Sequence, residues 1–209
     1  MGESQLTMSA MHAGAIEPSP YGIHSRKLVM WLFITADAAT FGAILFGYGF
    51  LRAGSVDWPR PFAFNPTIQN GIVMTFVLLT SSLTMLQAVA ASKRDDRPAT
   101  ARWMGVTILL GVVFAVLHLR EWFSMFREGW SLSANPTGGT VQFGASFFSI
   151  TGLHLLHVIS GVVALAVIAL MFRRGRLTSD HNETTGLYWH FVDLVWMFVF
   201  PLLYLLNAH

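Results

Sequence analysis

The sequence predicts an all-α fold: a polytopic membrane bundle of five transmembrane helices, N-terminus cytoplasmic and C-terminus periplasmic. Three observations carry this. The 209-residue chain is 54% hydrophobic and only 11% charged, with a mean hydropathy of +0.54, which is too apolar for a domain with a solvated surface. Five apolar segments each approach the roughly 20 residues that cross a bilayer core at 1.5 Å per residue. Basic residues are unevenly shared between the alternate sides of those segments.

In chain order, residues 1–25 read as a polar cytoplasmic tail, expected to be uncleaved because they lack the apolar core of a secretory signal. Residues 26–209 read as one five-helix transmembrane domain with spans at about 27–51, 67–91, 101–119, 143–172 and 186–206. The first and second spans are separated by Asp57-Trp58-Pro59-Arg60-Pro61, and the third and fourth by Ser133-Ala134-Asn135-Pro136-Thr137-Gly138-Gly139. Both stretches are rich in helix breakers and turn formers. Thr80, Ser81, Ser82 and Thr84 put hydroxyls around the second span. Pro201 is expected to loosen the last turns of the fifth. Trp31, Trp103, Trp122, Trp130, Trp189 and Tyr204 fall towards span ends and read as interfacial anchors.

Orientation follows from the 13 Lys and Arg residues. Arg26, Lys27, Lys93, Arg94, Arg97, Arg102, Arg173, Arg174 and Arg176 fall on one side, and Arg52, Arg60, Arg120 and Arg127 on the other. The richer side is expected to be cytoplasmic. There Arg173, Arg174 and Arg176 are candidates to hold lipid headgroups.

Polar groups inside the spans are the functional clue, because an ionisable side chain at membrane depth costs about 2.5–3.5 kcal/mol on insertion scales. Asp37 is placed about 15 Å into the first span from the cytoplasmic side, and His154 about 16 Å into the fourth from outside. His157 lies about a turn nearer the cytoplasm. Asp193, about 10 Å into the fifth span, comes to a similar level, and a His157–Asp193 hydrogen bond is expected if those spans are antiparallel neighbours. His190 and His118 are placed nearer the two membrane faces. The ordinary role for His154, His157, His190 and Asp193 is interhelical hydrogen bonding. Asp37 has no partner in its own helix and is expected to serve a proton-related role.

No cysteine is present, which excludes disulfides and thiolate metal sites. His154 and His157 have i, i+3 spacing, yet no third ligand is nearby and the Glu-x-x-His signature of carboxylate-bridged bundles is missing. A haem-binding cytochrome using His118, His154, His157 and His190 remains an alternative. A transporter is disfavoured by the absence of an internal repeat. A serine hydrolase is disfavoured because Ser149 and His154 point to different faces of one helix.

The residues carry a family resemblance. Thr151-Gly152-Leu153-His154-Leu155-Leu156-His157-Val158-Ile159-Ser160-Gly161, followed by Tyr188-Trp189-His190-Phe191-Val192-Asp193-Leu194-Val195-Trp196, closely resembles the last two helices of subunit III of the haem-copper terminal oxidases. Phe33-Ile34-Thr35-Ala36-Asp37 is similar to the family's helix with a buried carboxylate, usually Glu. His118 to Trp122 lies where the family has a polar residue followed by an acidic–aromatic pair, here Glu121-Trp122, at the outer edge. The likeness covers about Arg26 to Leu206. It resembles the short five-helix bacterial form, which begins at the third helix of the seven-helix form.

The resemblance implies a non-redox accessory subunit of a proton-pumping oxidase in aerobic respiration, in the bacterial cytoplasmic membrane. It implies no catalytic, cofactor or metal ligand in this chain, with haem and copper in the partners, subunits I and II. It further implies bound phospholipid and support of proton uptake and stability; no nucleic-acid partner is expected. Relatives serving quinol oxidases or nitric oxide reduction are not separated by these residues. Lipid or partner contacts are expected on a small-residue surface of the fourth span, including Gly144, Ala145, Ser149, Gly152, Ser160 and Gly161.

Overall fold

The computed structural model describes residues 25–175 and 179–208. Helix α1 is Ser25–Ala53; α2, Gln69–Lys93, follows a π-helical turn at Phe64–Ile68. Then come α3, Arg97–Arg127, and α4, Gln142–Arg173. The last helix, α5, is Ser179–Val199 and continues through a π-helical turn, Phe200–Tyr204, and a 3-10 turn, Leu205–Asn207. Among the described residues there is no strand. All five helices are long and apolar enough to cross a membrane.

Local chemistry sets the boundaries. The Asp96 side chain caps α3 by accepting from the Ala99 amide at 3.0 Å, and Pro98 occupies the first turn, where a missing N–H costs nothing. Gly175 ends α4 at φ +70°, a left-handed conformation that a side chain would disfavour. The widened turns after Val199 include Pro201, which cannot donate to the helical ladder, so the expected loosening is present.

The packing is centred on α5. Its most apolar stretch is 56% buried, against 6% for that of α1, so α5 lies inside the bundle and α1 on its edge. α2 and α3 pair most extensively, α4 lies on α3, and α5 contacts α2, α4 and α1. Close approach depends on small residues. The Trp189 ring sits against Gly111 of α3 and Gly161 of α4, where an added Cβ would lie 2.6 and 2.9 Å from its atoms. Phe200 rests on Gly71 in the same way.

Several expectations are corrected. α3 continues to Arg127, beyond the span end expected near Leu119, because Arg120 to Phe126 contains no helix breaker; charge ends the apolar run without ending the helix. α5 starts at Ser179 rather than 186, and its polar first turns are held by Glu183, which pairs with Lys27 at 3.0 Å and Lys93 at 3.7 Å. Trp189 and Tyr204 are fully buried and Trp130 nearly so, so these three are core residues, whereas Trp31 and Trp103 are exposed as anchors would be. Of the small residues of α4, Gly144 abuts the Ser131 carbonyl, Gly152 the Trp122 ring and Gly161 Trp189 and Tyr188. Their smallness therefore serves packing within the chain.

Candidate functional site

The bundle brings two ionisable groups together from its edge helix and its fourth helix. Asp37 Oδ2 of α1 and His157 Nε2 of α4 lie 3.1 Å apart, with side chains 20% and 17% exposed. The other ring nitrogen, Nδ1, is 2.8 Å from the Leu153 carbonyl one turn back. That carbonyl can only accept, so Nδ1 carries a hydrogen. The Nε2 contact then needs a second hydrogen, on the ring as an imidazolium or on Asp37 as a carboxylic acid donating to a neutral ring. Either way the intact pair holds one proton more than a carboxylate beside a neutral imidazole, and it is neutral overall.

The surroundings hold this ring in place. Phe41 meets His157 edge-on, with centroids 5.3 Å apart. The Tyr188 hydroxyl of α5 donates to the His157 carbonyl at 3.2 Å and shares a hydrogen bond of 2.8 Å with Ser160. Burial with a paired, hydrogen-bonded partner is how an ionisable group is tolerated away from water. Phe41 carries no signal beyond being apolar, and Tyr188 was legible only as part of the α5 motif.

This arrangement replaces the expected His157–Asp193 bond. Asp193 faces α2, where the Ser82 hydroxyl lies beside its carboxyl, and both carboxyl oxygens are buried without a hydrogen bond. Ser82 instead bonds His190 Nδ1. Helix rotation decides direction, and the α4 face bearing His157 turns to α1.

His154 also departs from the expected interhelical hydrogen bonding, and His118 stands beside it. Both are fully buried, and no nitrogen of either ring has a hydrogen-bond partner. They stand in an aromatic box: His154 stacks on Trp196 at 5.2 Å, His118 on Phe114 at 5.7 Å, and Phe114 meets Trp196 edge-on at 4.9 Å. α3 carries on past His118 to Arg127.

Near that end of α3, Glu121 is buried and its Oε2 accepts from Asn70 Nδ2 at 3.0 Å. Trp122 Nε1 donates to Thr151 at 3.2 Å. Adjacent in sequence, these two serve different contacts. Arg173 and Arg174 are exposed at the end of α4; Arg176 lies outside the described residues. Among the described residues no three His, Asp or Glu side chains gather as metal ligands would.

The family described as cytochrome c oxidase subunit III matches residues 23–208 of this chain. The chain belongs to that family. A cytochrome c oxidase subunit 3 of Alkalihalophilus pseudofirmus is 32% identical over 190 residues, covering 88% of each chain. A probable quinol oxidase subunit 3 of Staphylococcus aureus is 33% identical, covering 87% of this chain and 89% of its own length. A haem-copper oxidase subunit I+III of Aeropyrum pernix is 30% identical over 92% of this chain, which corresponds to 24% of that longer protein. With five apolar helices, membership makes the chain a multi-pass membrane protein of the haem-copper oxidases' subunit III family.

Proposed function

We propose that this chain is a non-redox subunit III that leans against the catalytic subunit of a proton-pumping terminal oxidase, supports its proton uptake and stability, and binds phospholipid. The Asp37–His157 pair carries the reading. The pair spanning α1 and α4 is neutral only while it holds its shared proton, so giving that proton up leaves a single negative charge away from water and ties release to a proton supplied from elsewhere. The basic-residue asymmetry supports a cytoplasmic N-terminus and periplasmic C-terminus in a bacterial inner membrane, with residues 26–209 acting as one transmembrane domain. Fusion of subunits I and III in the Aeropyrum pernix relative supports subunit I as the direct neighbour. Subunit II, haem and copper belong to the rest of the complex on this reading. Arg173, Arg174 and Arg176 are proposed lipid-headgroup contacts, and His190 and Asp193, each beside Ser82, further polar groups of proton-related function.

A quinol-oxidising complex is the second reading, favoured by the Staphylococcus aureus relative's identity of 33%. Purification through a tag on this chain in mild detergent tests both. Co-purifying haem-bearing subunits that consume oxygen are the expected result, and activity with reduced cytochrome c against activity with quinol separates the two donors. A colourless homomer without partners would overturn the proposal; a Soret band from the isolated chain would favour a cytochrome instead.

A further inference from the structure

Three polar side chains meet where α5 packs on α2. Asp193 is 5% exposed, and neither of its carboxyl oxygens has a hydrogen bond. Ser82 of α2 stands beside that carboxyl and bonds Nδ1 of the half-buried His190, one turn back on α5. The other ring nitrogen, Nε2, makes no bond and, unlike the nitrogens of His154 and His118, is not sealed from the surface. Leu194 and Met197 share the helix face of His190, and both are exposed. The trio therefore runs from a buried carboxyl through a hydroxyl to a nitrogen at the rim of the bundle.

The charged and titratable groups of the neighbouring helices are engaged elsewhere. Asp37 of α1 and His157 of α4 hold each other. His154 of α4 and His118 of α3 stand in the aromatic box. Lys27 of α1 and Lys93 of α2 pair with Glu183, two turns back along α5, and Glu121 of α3 meets Asn70. What Asp193 has beside it is the Ser82 hydroxyl.

A hydroxyl has one hydrogen to give and lone pairs to accept with, so Ser82 can serve its two neighbours in two ways. When Asp193 is the acid, it donates to Ser82 Oγ, Ser82 donates to His190 Nδ1, and the ring hydrogen sits on Nε2. When Asp193 is the carboxylate, Ser82 donates to it, Nδ1–H donates to Oγ, and Nε2 is bare. Passing from the first state to the second moves the acid hydrogen to Oγ and the hydroxyl hydrogen to Nδ1, and the Nε2 proton leaves. The negative charge stays on Asp193, so release waits on an acceptor that meets Nε2.

We propose that Ser82 couples Asp193 to His190 as a proton relay whose port is Nε2 on the exposed face of α5. Nε2 is a donor while Asp193 holds its proton and an acceptor once that proton has gone. The inference rests on the proton-related reading of these groups and adds the route and the atom at which the proton crosses.

Histidines labelled with the heavy nitrogen isotope report their tautomers by NMR in the purified full chain, alone or with its co-purifying subunits. Loss of a signal in His190→Gln identifies the ring. As the pH is raised from neutrality, His190 should pass from about a tenfold excess of the Nε2–H tautomer to about a tenfold excess of the Nδ1–H tautomer. Asp193→Asn, whose amide always donates, should hold the ring in the Nε2–H form. Ser82→Ala should abolish the change, and Ser82→Thr, which keeps the hydroxyl, should retain it. A single tautomer throughout in the wild type, a change that survives in Ser82→Ala or Asp193→Asn, or its loss in Ser82→Thr would overturn the relay. If Asp193→Asn does not fold, the wild type and the two serine variants still decide. The tautomer is read whether or not haem co-purifies, so failure of the relay and failure of the oxidase assignment are distinguishable.

Discussion

Asp37 and His157, 120 positions apart in the chain, meet at 3.1 Å and tie the edge helix α1 to α4. The buried side chains of α1 are Phe41 and Tyr48, and this contact joins the Lys27–Glu183 ion pair and the Asn207–Tyr48 hydrogen bond in fixing how α1 sits.

The pair should behave as a coupled unit. Asp37→Asn and His157→Gln are each expected to lower the sustained rate or proton yield of the assembled oxidase without blocking assembly. A double-mutant cycle on detergent stability should show coupling of about 0.6–2 kcal/mol. Unchanged turnover, proton stoichiometry and inactivation rate in both variants would reduce the pair to a structural tie.

Gly111 leaves room for Trp189, whose ring would lie 2.6 Å from an added Cβ. Gly111→Leu should force α3 and α5 apart and destabilise the bundle by about 1–3 kcal/mol. Thermal unfolding followed by circular dichroism in detergent measures this, and Gly111→Leu paired with Trp189→Leu should recover part of the loss.

Asn207 closes the end of the bundle. Its Oδ1 accepts from Trp58 Nε1 at 3.0 Å, and its Nδ2 donates to the Tyr48 hydroxyl and the Leu203 carbonyl at 2.6 Å each. Asn207→Ala strands the Trp58 donor and the Tyr48 hydroxyl, and should cost about 1–3 kcal/mol. Faster proteolysis at the 54–61 loop would accompany it.

His154 is expected to respond differently. Its nitrogens are buried without partners, so His154→Phe removes two unsatisfied polar atoms and keeps the stack on Trp196. Stability should be unchanged or rise by up to about 1 kcal/mol. A loss above about 2 kcal/mol would reveal a hydrogen bond to these nitrogens in the folded protein.

How much was legible differs between fold and site. The five spans were readable because apolar runs of bilayer length are a property of composition along the chain. Helix ends were less readable where charge and helix-breaking part company, as after Leu119 and before Gly186. Asp37 and His157 stood out because ionisable groups are costly in hydrocarbon, and Glu121 only through the family resemblance. Asn70 and Phe41 did not, since polar and aromatic residues are ordinary at such positions. The aromatic residues misled: Trp189 was read as an interfacial anchor, yet it fills the space above Gly111 and Gly161.

From the order of residues alone came the number of spans, the asymmetry of basic charge and the acidic and imidazole groups that need an explanation. Each depends on a residue's own solvation or on near neighbours in the chain. Tertiary structure alone decided that His157 faces Asp37 rather than Asp193 and that two histidines sit in an aromatic box. Depth follows from counting residues, but partnership depends on how each helix is rotated, and rotation is set by which small residues let which large ones approach.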